Sequence, residues 1–280
     1  MTRHRMLTGV ALIACALSPW GAVQAGEVLE RVMSKGVLVM STDPEYPPQS
    51  SLDENNEFVG FDIDVGREIA ERLGVGIEFV TPSWDVITAG NWAGRWDVSV
   101  GSMTPTAARR EVLDFPAIYY YTPASLVVHG DNKSIVAPAD ASGKTIGVGV
   151  ATTYENYLNK DLVIDAEGAP PFEYQIDEPN IQTYDTDLLA LDDLRLGDGV
   201  RLDAAVTALP TAMDAINQGY PLKVVGEPLF LEPLSVAIDK GDPEFASKLA
   251  EIVQAMHDDG TLSELSLQWY GADLTEQETQ

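Results

Sequence analysis

Short apolar runs alternate with amphipathic stretches along most of this chain, the pattern of a sheet buried on both faces and flanked by helices. Val37-Leu38-Val39-Met40 is the first such run. A helix follows over 65–73, with Ile69, Ala70 and Leu73 on one face and Glu68, Glu71 and Arg72 on the other. Gly74 is placed to end it. Ile77-Glu78-Phe79-Val80 predicts a second strand, Ser83 caps a helix over 84–91, and residues 97–100 predict a third strand. This βαβαβ order predicts a mostly parallel sheet with right-handed crossovers.

A second section begins at Leu126-Val127-Val128. Residues 145–150 predict a buried strand, 154–159 a helix capped by Thr152 or Thr153, and 168–180, rich in proline and acid, a long loop. Helices over 187–196 and 211–217 alternate with strands over 202–207 and 222–225. The tail holds a strand over 234–238, a helix whose Leu249, Ile252, Val253 and Met256 form one apolar stripe, and a helix over 262–270. Two α/β sections with an appended tail predict two lobes and a cleft.

Composition narrows the function. The 280 residues carry a formal net charge of −27, and the first 25 hold Arg3 and Arg5 but no acid, so the rest is more acidic still. Phosphate binding needs a basic surface, so nucleic acid is excluded as a partner. Arg3, His4 and Arg5, an apolar run over 6–17 and Val23-Gln24-Ala25 together read as an export signal cleaved after Ala25. Leu12-Ile13-Ala14-Cys15 offers the alternative of a lipid anchor on Cys15, but Cys15 lies early and the following residues stay apolar. With Cys15 the only cysteine and His4, His129 and His257 scattered, no disulfide, thiol nucleophile or metal site is expected, and no cofactor.

Gly101-Ser102-Met103-Thr104-Pro105-Thr106-Ala107-Ala108-Arg109-Arg110 is a basic island at a strand's carboxyl end, where ligands collect in open α/β sheets. Ser102 and Thr104 supply hydroxyls and Arg109 a donor fork matched to a carboxylate. The competing reading of Arg109 is a surface arginine paired with Glu111 or Asp114. The loop over 41–48, containing Asp43 and Tyr46, also follows a strand, as do Trp84 and Thr152 after theirs.

Together these pieces resemble the extracytoplasmic solute-binding proteins of polar amino-acid ABC transporters, family 3. The resemblance is carried in order by Thr42-Asp43-Pro44-Glu45-Tyr46-Pro47-Pro48, Gly60-Phe61-Asp62-Ile63-Asp64, Ser83-Trp84-Asp85, Ser102-Met103-Thr104-Pro105-Thr106-Ala107-Ala108-Arg109, Gly143-Lys144-Thr145-Ile146-Gly147-Val148, Ala151-Thr152-Thr153 and Asp259-Gly260-Thr261. It implies a two-lobed periplasmic-binding-protein fold of type II. Lobe one would comprise 26–121 and 231–280, lobe two 122–230, joined by two hinge strands. It further implies that Arg109, Ser102, Thr104 and Thr152 grip the solute's carboxylate while Tyr46 and Trp84 sandwich its side chain, with Asp43 nearby. The expected product is a periplasmic monomer that delivers a small carboxylate-bearing solute to a membrane permease. Gly60-Phe61-Asp62-Ile63-Asp64 reads as architectural, Trp92 and Trp96 as packing, and Tyr119 to Tyr121 as hinge.

Three departures stand out. Gln49 replaces a common aromatic at the cleft mouth, and residues 159–186 are more than the resemblance requires. Ala208 stands where an acid would pair with the solute's α-ammonium. Either another acid substitutes, with Glu167, Glu173 and Asp177 as candidates, or the solute's nitrogen is absent, alkylated or in a ring; the second is the expectation. A non-transport alternative is an exported cyclohexadienyl-dehydratase-like enzyme on the same fold, which would need an acid or base in the cleft. A receptor-kinase sensor domain would need a membrane segment, which the sequence does not offer.

Overall fold

The computed structural model describes residues 26–276, so the export segment, its cleavage point and Cys15 lie outside the described residues. The elements of the first section are α1 (Glu27–Lys35), β1 (Val37–Ser41), β2 (Glu45–Tyr46), β3 (Ser50–Leu52), β4 (Phe58–Val59), α2 (Phe61–Leu73), β5 (Gly76–Val80), α3 (Trp84–Thr88), β6 (Val98–Met103), α4 (Ala107–Arg110) and β7 (Leu113–Asp114). Next come β8 (Ile118–His129), β9 (Thr145–Gly149), α5 (Thr153–Asn159), β10 (Asn180–Tyr184), α6 (Asp187–Leu194), β11 (Ala204–Ala208) and α7 (Leu209–Asn217). The chain returns through β12 (Leu222–Asp239) to α8 (Pro243–Asp258) and α9 (Thr261–Tyr270).

One sheet runs β10-β9-β11-β8-β12-β6-β1-β5, with β7 on the side of β12. Its outer strands pair in parallel, as the βαβ pattern predicts, whereas β8 and β12 cross its middle antiparallel. A hydrophobic core packs on each side of that pair. Leu38, Met40, Ile69, Val236, Phe245 and Val253 belong to one core; Ile146, Val148, Tyr157, Val206 and Phe230 belong to the other. The long strands thus belong to both cores and form the connection between two lobes.

Several boundaries differ from the sequence reading. Residues 222–225 and 234–238 belong to one strand, because β12 continues through a register shift between Val225 and Phe230 that accommodates Gly226 and Pro228. β10 is additional to the predicted elements: it starts where the loop expected over 168–180 ends, and it is an edge strand without apolar alternation. α2 begins at Phe61, four residues early, because Gly60 turns the chain at φ 135°. A β-carbon there would lie 2.2 Å from the Gln49 carbonyl oxygen, so only glycine fits. β6 extends to Met103, three residues beyond the expected strand. Among the described residues no helix is long and apolar enough to cross a membrane.

The enlarged segment after α5 does not stay on its own lobe. Its return leg is pinned where Tyr157 Oη donates to the Glu173 carbonyl and accepts from the Gln175 amide, with Phe172 and Tyr174 packed against Tyr157. Its outward leg reaches the other lobe. The Ala107 amide donates to the Val163 carbonyl at 3.0 Å, and the Asp165 amide donates to the Pro105 carbonyl at 2.9 Å. Arg110 donates to the Asp165 carbonyl at 2.7 Å.

Candidate functional site

The carboxyl ends of β1, β6, β9 and β10 open into a cleft of about 650 Å³, counting its mouth, closed at the back by β12. Asp43, Tyr46, Trp84, Ser102, Thr104, Arg109 and Thr152 all line it. Gln49 and Ala208 do not. Gln49 is buried and exchanges hydrogen bonds with Thr211 of the opposite lobe, Nε2 donating at 3.2 Å and Oε1 accepting at 3.3 Å. It joins the lobes instead of placing a polar group at the mouth. Ala208 is fully buried at the N-cap of α7.

Arg109 is buried, which holds its guanidinium down to about 10, still cationic at neutral pH. It sits in α4, whose start is capped by Thr106, the acceptor for the Arg109 amide. Nη1 donates to the Thr104 carbonyl at 3.0 Å and Nη2 to the Ala151 carbonyl of the other lobe at 2.8 Å. Trp84 Nε1 donates to the same Ala151 oxygen at 3.3 Å, and its ring centroid lies 5.4 Å from the Arg109 guanidinium carbon. Arg109 therefore faces the cleft, and the surface pairing with Glu111 or Asp114 does not form.

The hydroxyls expected to help Arg109 already have acceptors. Ser102, held at φ 55°, donates Oγ–H to Asp62 at 2.7 Å, and Asp62 also accepts from Tyr119 Oη at 2.7 Å. Thr104 donates to Glu232 at 2.8 Å, and Thr153 donates to the same Glu232 oxygen. Thr152 donates to the Gly149 carbonyl at 2.7 Å while accepting from the Glu155 amide, an N-cap. A hydroxyl has one proton, so these three oxygens offer the cleft lone pairs. Burial raises the Asp62 carboxyl to about 7, against the lowering pull of Tyr119 and Ser102. The motif read as architectural thus supports the cleft wall through Ser102.

The sequence pattern did not single out two buried acids of the cleft, Asp187 and Glu232; Asp185, also in the lining, is exposed. Asp187, in the first turn of α6, is buried with Oδ2 accepting from Thr207 at 2.6 Å and Oδ1 from the Gly149 amide at 3.1 Å. Thr207 precedes Ala208, so Asp187 brings a carboxylate from a neighbouring helix to the corner that lacks one. Glu167, Glu173 and Asp177 are exposed and do not line the cleft. Glu232 lies on β12, paired with Thr122, and takes hydroxyls from both lobes. The sign of Asp187 was an acid at a helix start after a strand, hidden because β10 went unread. Glu232 lies between the strands expected over 222–225 and 234–238, beside Pro233, in a stretch whose pattern assigns no element. Among the described residues no cluster of His, Cys, Asp and Glu suits a metal ion.

Comparison with known proteins agrees with this architecture. Residues 38–272 match the model of the bacterial extracellular solute-binding proteins, family 3. The L-cystine-binding protein TcyJ of Escherichia coli K12 is 29% identical over 250 residues, covering 89% of this chain and 88% of its own. An ancestral arginine-binding protein bound to arginine superposes with a TM-score of 0.73 at 32% identity, covering 84% of this chain and 99% of its own. An ancestral amino acid-binding protein described as a precursor of cyclohexadienyl dehydratase gives a TM-score of 0.74 at 30% identity, covering 86% and 99%. All three are named as binding proteins, the last as the precursor of an enzyme. With the match spanning both lobes and the cleft between them, the chain belongs to the bacterial extracellular solute-binding proteins, family 3.

Proposed function

We propose that this protein captures an amino acid between its lobes and delivers it to an ABC transporter permease. One observation carries the reading: a buried arginine of one lobe and a buried carboxylate of the other, Arg109 and Asp187, line one cleft. Arg109 holds the solute's carboxylate and Asp187 its α-ammonium, assisted by the lone pairs of Ser102 and Thr104. Tyr46 and Trp84 cover the side chain. Because Asp187 supplies the acid missing at Ala208, the reason for expecting a modified nitrogen is gone. The lobes, 26–121 with 231–276 and 122–230, hinge where β8 and β12 pass between them, and the protein is exported by cleavage after Ala25 without a lipid on Cys15. Calorimetry with the common L-amino acids tests the reading; one present at 100 times its dissociation constant stabilises the fold by about 2.7 kcal/mol. Micromolar or tighter binding of at least one is expected, and binding of none at millimolar concentration defeats it.

Closure has its own test. Thr106 and Ile164 form an antiparallel bridge between the lobes, flanked by the amide bonds of Ala107 and Asp165. Such a non-hydrogen-bonded pair has α-carbons about 4.5 Å apart, within disulfide range. The double variant Thr106→Cys with Ile164→Cys should exchange solute normally when reduced and be locked when oxidised. Unchanged exchange after oxidation, verified by loss of free thiols, would show that this bridge does not open.

A further inference from the structure

We propose that the deep end of the cleft is a subsite for an uncharged, hydrogen-bonding side chain of the carboxamide class, built from the hydroxyls of Ser41, Thr42, Ser50 and Ser99. The proposal rests on the reading of the cleft as an amino-acid site. Each of these residues is at most 1% exposed, and each lines the cleft. Among the described residues, five buried serine and threonine hydroxyls have no hydrogen-bond partner. Four are these; the fifth is Thr122, on the hinge strand. Other buried hydroxyls find acceptors, as Thr207 does at Asp187 and Ser235 at the Ala117 carbonyl. A buried hydroxyl without a partner costs stability, so four gathered at one cavity mark a surface shaped for something else.

The backbone explains why they converge. Ser41 and Ser99 are register partners on the adjacent strands β1 and β6, Thr42 follows Ser41, and Ser50 opens β3. Beside them lies Gly101, where a β-carbon would be in ordinary contact with Ser99 Oγ at 3.4 Å and the Trp84 ring at 3.7 Å. The same strand continues to Ser102 and leads to Arg109, so a main chain held by Arg109 and Asp187 directs its side chain into this region.

Chemistry then selects the side chain. Each hydroxyl has one proton to give and lone pairs to offer. A guanidinium or ammonium group only donates and leaves the four protons without an acceptor. A carboxylate only accepts and meets Asp43, Asp187 and Glu232, which line the same cleft. An apolar side chain satisfies none of them. A carboxamide provides an acceptor oxygen and two donor hydrogens on one small planar group, and so matches the mixed capacity of the cradle.

Titration of the full chain with L-glutamine, its near-isostere L-methionine, L-arginine and L-glutamate tests this. L-glutamine is expected to bind at least tenfold more tightly than each of the other three. Ser41→Ala and Ser99→Ala should each weaken L-glutamine about three- to tenfold more than L-methionine. Each should also raise the melting temperature of the solute-free protein, because it removes an unpartnered buried hydroxyl. A purely structural serine predicts the reverse, a lower melting temperature with equal losses for both solutes. Amino acids binding without preference for the amide overturns the subsite alone, whereas no binding by any common amino acid removes the amino-acid reading and the subsite with it.

Discussion

Replacing Arg109 with alanine is expected to weaken solute binding by about 30-fold to several-thousand-fold while leaving a cooperatively folded protein. Removing one member of a buried charge pair typically costs about 2 to 5 kcal/mol, much of it from the partner left unpaired. In the proposed binding mode the partner is the solute's carboxylate, and the cleft offers it little else. The hydroxyls of Ser102, Thr104 and Thr152 are already committed to Asp62, Glu232 and Gly149. The fold should survive because α4 is a single turn at the cleft edge, and the Ala151 carbonyl keeps the Trp84 indole as a donor. Arg109→Lys separates charge from geometry: it keeps the cation but not the planar fork, so an intermediate loss is expected. Calorimetry with whichever amino acid the wild type binds most tightly is the measurement. A loss of less than about threefold for the alanine variant would mean that the carboxylate is held elsewhere.

What could be read from the sequence followed from how strongly each feature was specified locally. The parallel strands β1 and β9 are short runs almost free of polar residues, β5 is apolar but for Glu78, and α8 has an unbroken stripe, so both lobes were visible in the pattern. Arg109 stood out as a cation in an acidic chain at a strand end. The misses share a cause: their identity depends on partners far away in sequence. Asp187 is one acid among many until Gly149 and Thr207 are folded around it, 38 and 20 residues away. Glu232 becomes a cleft residue only because β12 runs through the region of its prolines and meets Thr104 and Thr153. The hydroxyl directions were likewise invisible, since nothing near Ser102 announces that Asp62 will take its proton.

Replacing Asp187 with asparagine should cost a bound α-amino acid about 30-fold or more in affinity and flatten its pH dependence near neutrality. Burial first, then the charges of Asp43 and Glu232, raise the Asp187 carboxyl from its ordinary 3.8 to about 7, while Thr207 and Gly149 pull it down. In the solute-free protein the sign is fixed by proton counting. Between the ordinary carboxylate range and about 7 the native state holds a proton that the unfolded chain has lost, so stability declines as pH rises through that window. A solute ammonium reverses the preference at this site, because it favours the ionised carboxylate. Affinity should therefore increase as pH rises through about 7 and level off above it, with protons released on binding near pH 7. Asparagine keeps the shape and an acceptor oxygen but has no charge to gain, so both the affinity and the proton release attributable to this residue disappear. Burial also raises the carboxyls of Asp62, Glu232 and Asp43, so proton release that persists in Asp187→Asn belongs to these neighbours instead. The same logic ranks solutes: a primary ammonium gives Asp187 a directed N–H donor, whereas a trimethylated nitrogen leaves only charge. Calorimetry in buffers of different ionisation enthalpy at pH 6, 7 and 8 reads both quantities. An unchanged affinity and pH slope in the variant, or tighter binding of trimethylated than primary amines by the wild type, would place the ammonium's partner somewhere other than Asp187.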